Sequence, residues 1–222
     1  MAVKLTERLL AAASLVRGGG SLADIGTDHA YLPVWLIENN VIERAIASDI
    51  GKMPLENAKK TVSSYGLNDR IELRLSDGLA SFDENDADEF VFAGMGGTLI
   101  ASLMEKTPWV KNERFHFVFQ PQSRAEELRE YLFDNGFEIC TETAVHEGER
   151  FYIAFDAVYT GVVREYEKHE LFLGKLPKTP DAKSFISHQY SRLEKKYRAI
   201  KDSEDGSELK NVLDELENFL NV

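Results

Sequence analysis

The chain has 222 residues, 43% of them apolar, and a formal net charge of −12. That length fits one α/β domain with an appendage and excludes two full domains of average size, while the acidity excludes a protein that coats nucleic acid through its overall field. No apolar stretch approaches a membrane span and no secretory signal is visible at the start, so a cytoplasmic protein with no membrane partner is expected.

Thr6 to Arg17 is predicted helical, with Thr6 as N-cap and Gly18-Gly19-Gly20 as its stop. The triple glycine is not followed by the Lys-Ser or Lys-Thr of a phosphate loop. Next, Leu22-Ala23-Asp24-Ile25 and the turn Gly26-Thr27-Asp28-His29 read as a buried strand and a tight turn, with a helix opening at Tyr31. In a parallel sheet, ligands sit beyond the carboxyl ends of the strands, which makes this turn a cofactor position. A dinucleotide fingerprint requires glycine at the first, third and sixth places of such a turn, and here those places hold Gly26, Asp28 and Tyr31. A carboxylate at Asp28 repels a pyrophosphate and suits the ammonium and sulfonium of S-adenosylmethionine.

Arg44 to Asp49 forms a second predicted strand, ending in an acid placed either to accept from ribose hydroxyls or to cap the helix that Gly51-Lys52-Met53-Pro54 opens. A third, Ile71 to Leu75, delivers Ser76-Asp77-Gly78-Leu79. The fourth, Glu89 to Ala93, delivers Gly94-Met95-Gly96-Gly97 and a helix. The fifth, Phe115 to Phe119, delivers the turn Gln120-Pro121-Gln122 and a helix from about Ser123 to Asn135. These polar or glycine-rich turns belong on one edge of one sheet. Phe137 to Val145 and Phe151 to Tyr159 are joined by a connection too short for a crossover helix, so they pair antiparallel. Cys140, the single cysteine, lies in the first of them and reads as a small buried core residue in a reducing compartment.

Beyond Gly161, Val162 to Leu173 looks helical. Ile186, Tyr190, Leu193, Tyr197 and Ile200, then Leu209, Val212, Leu213, Leu216, Phe219 and Leu220, form two apolar stripes separated at Asp205-Gly206, as in an antiparallel coiled-coil-like pair. Residues 1–163 carry 15 basic and 26 acidic side chains against 11 and 12 in 164–222. Within the first stripe's helix, Lys183, Arg192, Lys195, Lys196, Arg198 and Lys201 face only Glu194. Such clustering against the overall field suits either a solvated helix face or phosphate contact. The expected fold is a Rossmann-like methyltransferase sheet with an antiparallel terminal hairpin over residues 1–161, followed by a helical domain over 162–222. No metal site is expected.

Read together, Ala23-Asp24-Ile25-Gly26-Thr27-Asp28-His29-Ala30-Tyr31-Leu32-Pro33, Ala47-Ser48-Asp49-Ile50, Ser76-Asp77-Gly78-Leu79, Ala93-Gly94-Met95-Gly96-Gly97 and Gln120-Pro121-Gln122 resemble the bacterial TrmK family, tRNA adenine-22 N1-methyltransferases that use S-adenosylmethionine. The resemblance implies that Gly26 lets the backbone approach the methionine part of the cofactor, with Asp24 or Asp28 at its ammonium. It further implies that Asp49 takes the ribose, that Ile50 packs on the adenine, and that Asp77, beside Gly78, accepts from its amine. Gly94 and Met95 then line the approach of the target base, and His29 or Tyr31 stacks on it; alternatively His29 only packs against its helix. tRNA is the implied partner, of a monomer or weak dimer. Two other classes stay open on the residues alone: a methyltransferase for a small molecule or protein with the tail as dimerisation element, and a non-catalytic RNA-binding protein.

Overall fold

Alternation along the strands sorts the core into two layers. In the computed structural model, which describes residues 3–221, Phe90 and Phe92 point to one face of a sheet and Val91 to the other. Met1, Ala2 and Val222, the ends of the two expected domains, lie outside the described residues. Seven strands, β1 (Ser21–Ile25), β2 (Arg44–Asp49), β3 (Ile71–Leu75), β4 (Glu89–Gly96), β5 (His116–Ser123), β6 (Phe137–Glu147) and β7 (Arg150–Tyr159), lie in the order β3-β2-β1-β4-β5-β7-β6. β1 to β5 are parallel and β7 is antiparallel to both neighbours, as the short connection requires. The chain therefore has the expected Rossmann-like sheet.

One face carries α1 (Glu7–Ser14), α2 (Tyr31–Glu38) and α3 (Lys52–Ser64). The other carries α4 (Gly97–Glu105) and α5 (Ala125–Asp134) over a ladder of aromatics, with Phe90 stacked on Phe117 at 5.6 Å and Phe92 on Phe119 at 5.7 Å. The same apolar cluster runs on through Phe137 and Ile153 to Phe185, Leu193, Leu213 and Leu216. Those last residues belong to α7 (Pro180–Ile200) and α8 (Glu204–Asn221), which pack on one another, α7 also lying on the hairpin. Thr179 caps α7 by accepting from the Ala182 N–H at 3.2 Å.

Several local expectations are corrected. α1 starts after Thr6, whose hydroxyl makes no capping bond, and stops at Ser14, because Arg17 and Gly18 turn their N–H groups to the Glu89 carboxylate. Gln120-Pro121-Gln122 is strand, not turn: β5 continues beside the irregular end of β4. Val162 to Val163 are exposed and the segment to His169 is irregular, leaving only α6 (Glu170–Leu173) helical. It is held as a strap, Arg164 lying 4.0 Å over the Phe133 ring and Tyr166 donating to Asp134 at 3.1 Å. Asp205 and Gly206 do not break the stripe but open α8, after a turn at 201–203. A Cβ at Gly206 would lie 2.3 Å from the Ile200 carbonyl, so glycine there permits the tight helix-to-helix approach. Cys140 is exposed, not buried, because a register shift between Ile139 and Glu142 turns that stretch out of the alternating pattern.

At the amino-terminal edge of the parallel strands, His116 is buried between two carboxylates, Nδ1 2.5 Å from Glu89 and Nε2 2.9 Å from Asp156. That polar cluster lies at the end of the sheet away from the glycine turns. The carboxyl ends are left open.

Candidate active site

The site is built where β1 and β4 end side by side. Gly26 leaves β1 at φ +81, and the N–H groups of Gly26 and Thr27 both donate to the Ser48 carbonyl at 2.8 Å. A Cβ on Gly26 would lie 3.0 Å from Met95 Sδ, so the absent side chain and the positive φ both require glycine here. Thr27 Oγ1 accepts from the Ala30 N–H at 3.1 Å, fixing Ala30 at φ 55 as the residue from which α2 starts. The turn is rigid without covering its own floor.

That floor is a cleft of about 390 Å³ whose lining includes Asp24, Gly26, Asp28, His29, Tyr31 and Gly94. The two acids differ sharply. Asp24 is 5% exposed, and burial pushes its carboxyl up to about 6, against the Thr27 hydroxyl bond, which favours ionisation; the nearby Asp49 charge raises it further. Asp28 stands at the mouth, its side chain 71% exposed, with Oδ2 3.3 Å from His29 Nε2. His29 in turn stacks on Tyr31 at 5.0 Å, with planes 7° apart. A buried anion thus faces the cavity, with an exposed acid and a flat aromatic pair at its rim.

Gly94 (φ +83) brings the end of β4 into the same cleft, where successive register shifts make its pairing with β5 irregular; Met95 does not line the cleft, contrary to expectation, because its side chain packs against Gly26. Gly78 also adopts positive φ, and Leu103 fills the space a Cβ would take. Asp49, Ile50, Asp77 and Gly78 do not line the cleft; they lie at the ends of β2 and β3, the next positions along the same sheet edge. Asp49 does not cap α3, whose N-cap is Gly51; instead Asp49 Oδ1 accepts from the Gly51 N–H at 2.6 Å. Among the described residues no protein donor uses its Oδ2. Ile50 is 67% exposed beside it, and Asp77 is exposed at the next strand end. An elongated ligand is therefore offered a cavity, then a carboxylate, an apolar shelf and a second carboxylate. This donor set fits S-adenosylmethionine: acids for its cation, hydroxyls and amine, and bare glycine backbone at Gly26 for close approach.

Two cleft residues, Arg8 and Gln122, and the buried Gln120 bonded to Arg8 were not given roles from the sequence. Arg8 of α1 reaches in and donates from Nη1 to Gln120 Oε1 at 3.1 Å, while its N–H donates to Glu147 at 3.1 Å. Gln120 is completely buried with Nε2 unpartnered among the described residues; Gln122 lines the cleft and is exposed. The glutamines stood in a motif that was legible, whereas nothing in the local pattern of α1 marks Arg8.

The basic residues of α7 do not form one stripe. Lys183 lines a hollow with Phe151 and His188, whereas Arg192 and Lys196 line another beside α5. Arg192 pairs with Glu126 at 3.0 Å and Arg198 with Glu194 at 2.8 Å; Lys195 and Lys201 are exposed. A step of about 100° per residue explains the scatter, since the six positions fall on several sides of the helix. Among the described residues there is no group of three or more side chains able to hold a metal, and no helix long and apolar enough to cross a membrane.

Residues 5–155 match the family model described as a methyltransferase domain. The chain is 30% identical to the tRNA (adenine(22)-N(1))-methyltransferase of Bacillus subtilis, over 97% of this chain and 95% of that one. It superposes on a Streptococcus pneumoniae protein assigned as a tRNA (m1A22) methyltransferase and crystallised with S-adenosyl-L-methionine, at TM-score 0.83 and 31% identity, covering 98% of this chain and 100% of that one. The crystal structure of the B. subtilis m1A22 tRNA methyltransferase matches at TM-score 0.79 and 28% identity, covering 99% and 97%.

Proposed function

Since this chain belongs to the bacterial tRNA (adenine(22)-N1)-methyltransferase family, TrmK, we propose that it transfers a methyl group from S-adenosylmethionine to N1 of adenine 22 in tRNA. The observation that carries the reading is the cleft at the β1 and β4 ends, which joins a buried carboxylate, a bare glycine and an aromatic rim.

When bound, S-adenosylmethionine supplies an electrophilic methyl: the N1 lone pair forms the new N–C bond as the C–S bond breaks, its electron pair stays on sulfur, and the positive charge passes to the adenine. Because N1 already carries a lone pair, the chain has no strong base to provide. Its task is to hold two atoms in line, a contribution of up to about 7–11 kcal/mol in favourable intramolecular cases. Asp24 binds the ammonium from below, and Gly26 admits the methionine backbone. Asp49 takes the ribose through its open Oδ2, Ile50 packs on the adenine ring of the cofactor, and Asp77 accepts from its amine beside Gly78. N1 lies on the pairing edge of the target base, so that base is drawn out of its stack before reaction. Tyr31 and His29 offer the flat surface that receives it, between Gly94 and Asp28. The exposed Asp28 carboxylate favours the cation that develops on the base.

The cations of α7, led by the exposed Lys195, Lys196 and Lys201, contact tRNA phosphates from the appended helices, with Lys183, Arg192 and Arg198 around them. The protein acts as a monomer or weak dimer in the cytoplasm, where its substrate is made. Labelled methyl transfer into tRNA tests the assignment at its most exposed residue: Asp28→Ala is expected to lower kcat/KM by about 100-fold, in line with the loss of one electrostatic contact to the transition state. Turnover near that of the unaltered enzyme would remove Asp28 from the site.

A further inference from the structure

The cleft contains an amide to which the reaction described above gives no task. β5 delivers two glutamines with opposite surroundings. Gln120 is fully buried and bonded to Arg8; Gln122, two residues on, is exposed and lines the cleft with Asp28, His29, Tyr31 and Gly94. A Cβ at Gly94 would lie 3.5 Å from Gln122 Nε2 and 3.5 Å from Arg8 Nη1. The bare backbone of Gly94 therefore leaves the Gln122 amide facing the floor of the cavity. Among the described residues no protein group bonds that amide.

The backbone on either side of Gln122 is fixed. Pro121, the residue before it, has its own φ locked by the pyrrolidine ring. Arg124, two residues after, takes φ 55 at the start of α5, a left-handed conformation that strains a residue with a side chain. Its carbonyl is packed so closely on α4 that a Cβ at Gly97 would lie 2.1 Å from it. Ala30, with the same φ of 55, starts α2 on the opposite wall. Two strained residues thus stand where the chain leaves the two sides of one cleft, which is where strain is most often retained for a function.

A carboxamide complements one edge of adenine: its oxygen accepts from the N6 amine while its nitrogen donates to N7. That edge is also the one left for reading, because N1 has to face the methyl donor unobstructed. Resting on the adenine-N1 reaction above, we propose that Gln122 reads the N6/N7 edge of the target base. Guanine presents acceptors at both O6 and N7 and cannot satisfy the amide oxygen, so the same contact selects adenine over guanine. Gln122 is a specificity residue that touches the substrate base; Arg8 and Gln120 hold the strand beneath it.

The test is a chemical double-mutant cycle using the full-length enzyme and tRNA carrying either adenine or 7-deazaadenine at the target position, where the second lacks the N7 acceptor. For the unaltered enzyme, kcat/KM is expected to fall roughly 5- to 100-fold with 7-deazaadenine, the span of one bidentate base contact. Gln122→Ala is expected to lose a similar factor on adenine and to show no further loss with 7-deazaadenine, since the partner of N7 is already gone. Gln122→Glu, which keeps the N6 acceptor but sets a second acceptor against N7, is expected to show no loss with 7-deazaadenine. Calorimetric affinity for S-adenosylmethionine is expected to match the unaltered protein in both variants. Equal 7-deazaadenine penalties with and without the glutamine side chain would overturn the assignment, as would loss of cofactor binding in the variants. Failure of the unaltered enzyme to methylate N1 of adenine in unmodified tRNA would overturn the underlying function, and the assignment with it; that reaction is read separately from the cycle.

Discussion

Asp24→Asn is expected to stabilise the cofactor-free protein and at the same time to weaken its binding of S-adenosylmethionine. The carboxyl is buried, titrates at about 6 in the folded chain and has an ordinary value of 3.8. Between those values the folded state binds more protons than the unfolded state, so stability falls as the pH rises through that window. Above pH 6 the full penalty stands, on the order of 3 kcal/mol. Asparagine removes the charge and keeps an acceptor for the Thr27 hydroxyl. The variant is therefore expected to melt higher than the unaltered protein at pH 7.5, with the advantage shrinking as the pH drops below about 6 and gone below about 4. Affinity for the cationic cofactor is expected to fall by about 100-fold, because one partner of a desolvated charge contact has gone. Thermal melts across pH and calorimetric titration measure the two effects. A lower melting point at pH 7.5 together with unchanged affinity would remove Asp24 as the ammonium ligand.

The largest expected loss of stability is at Arg129. Its side chain is 1% exposed, Nε donates to Glu142 Oε1 at 2.9 Å and Nη1 to the Leu171 carbonyl at 2.6 Å, while the guanidinium lies 5.4 Å over Phe155. Glu142 also accepts from the Lys175 N–H. One buried pair thus ties α5 to β6 and to the segment leading into α7. Gly174, at φ 59, lets that segment pass directly over the carboxylate, where any Cβ would collide with it. Arg129→Met leaves the Glu142 charge buried without its counter-ion, and the loss is expected to be about 3–5 kcal/mol. That is a large part of a typical domain's 5–15 kcal/mol. Arg129→Met with Glu142→Leu is expected to recover most of it, because removing both charges removes the desolvation penalty as well. Denaturant midpoints measure this; a single variant within about 1 kcal/mol of the unaltered protein would show that the pair does not hold the helices in place.

The strand ends were legible because special residues mark them. Gly26, Asp49 and Gly94 end mostly apolar strands and Asp77 follows an alternating one, and the structure sets all four along one edge in sheet order. The antiparallel hairpin followed from the length of a single connection. What stayed hidden depends on tertiary placement. Arg8 enters the cleft only because α1 folds back over β5, β6 and β7. The exposure of Cys140 depends on a bulge that has no residue signature of its own. Val162 and Val163 raise local apolarity without having a face to bury it against, and so the segment is a strap. The contrast between Asp24 and Asp28 is likewise invisible in sequence, where both are acids beside a glycine, and is decided by burial.

Product mapping tests the central claim most directly. The protein is incubated with unmodified tRNA and S-adenosylmethionine labelled in its methyl group, and the tRNA is digested to nucleosides and mapped by position. The expected product is N1-methyladenosine at position 22, the site in the family's name. Label on N6, on another base, or absent from tRNA altogether would contradict the account.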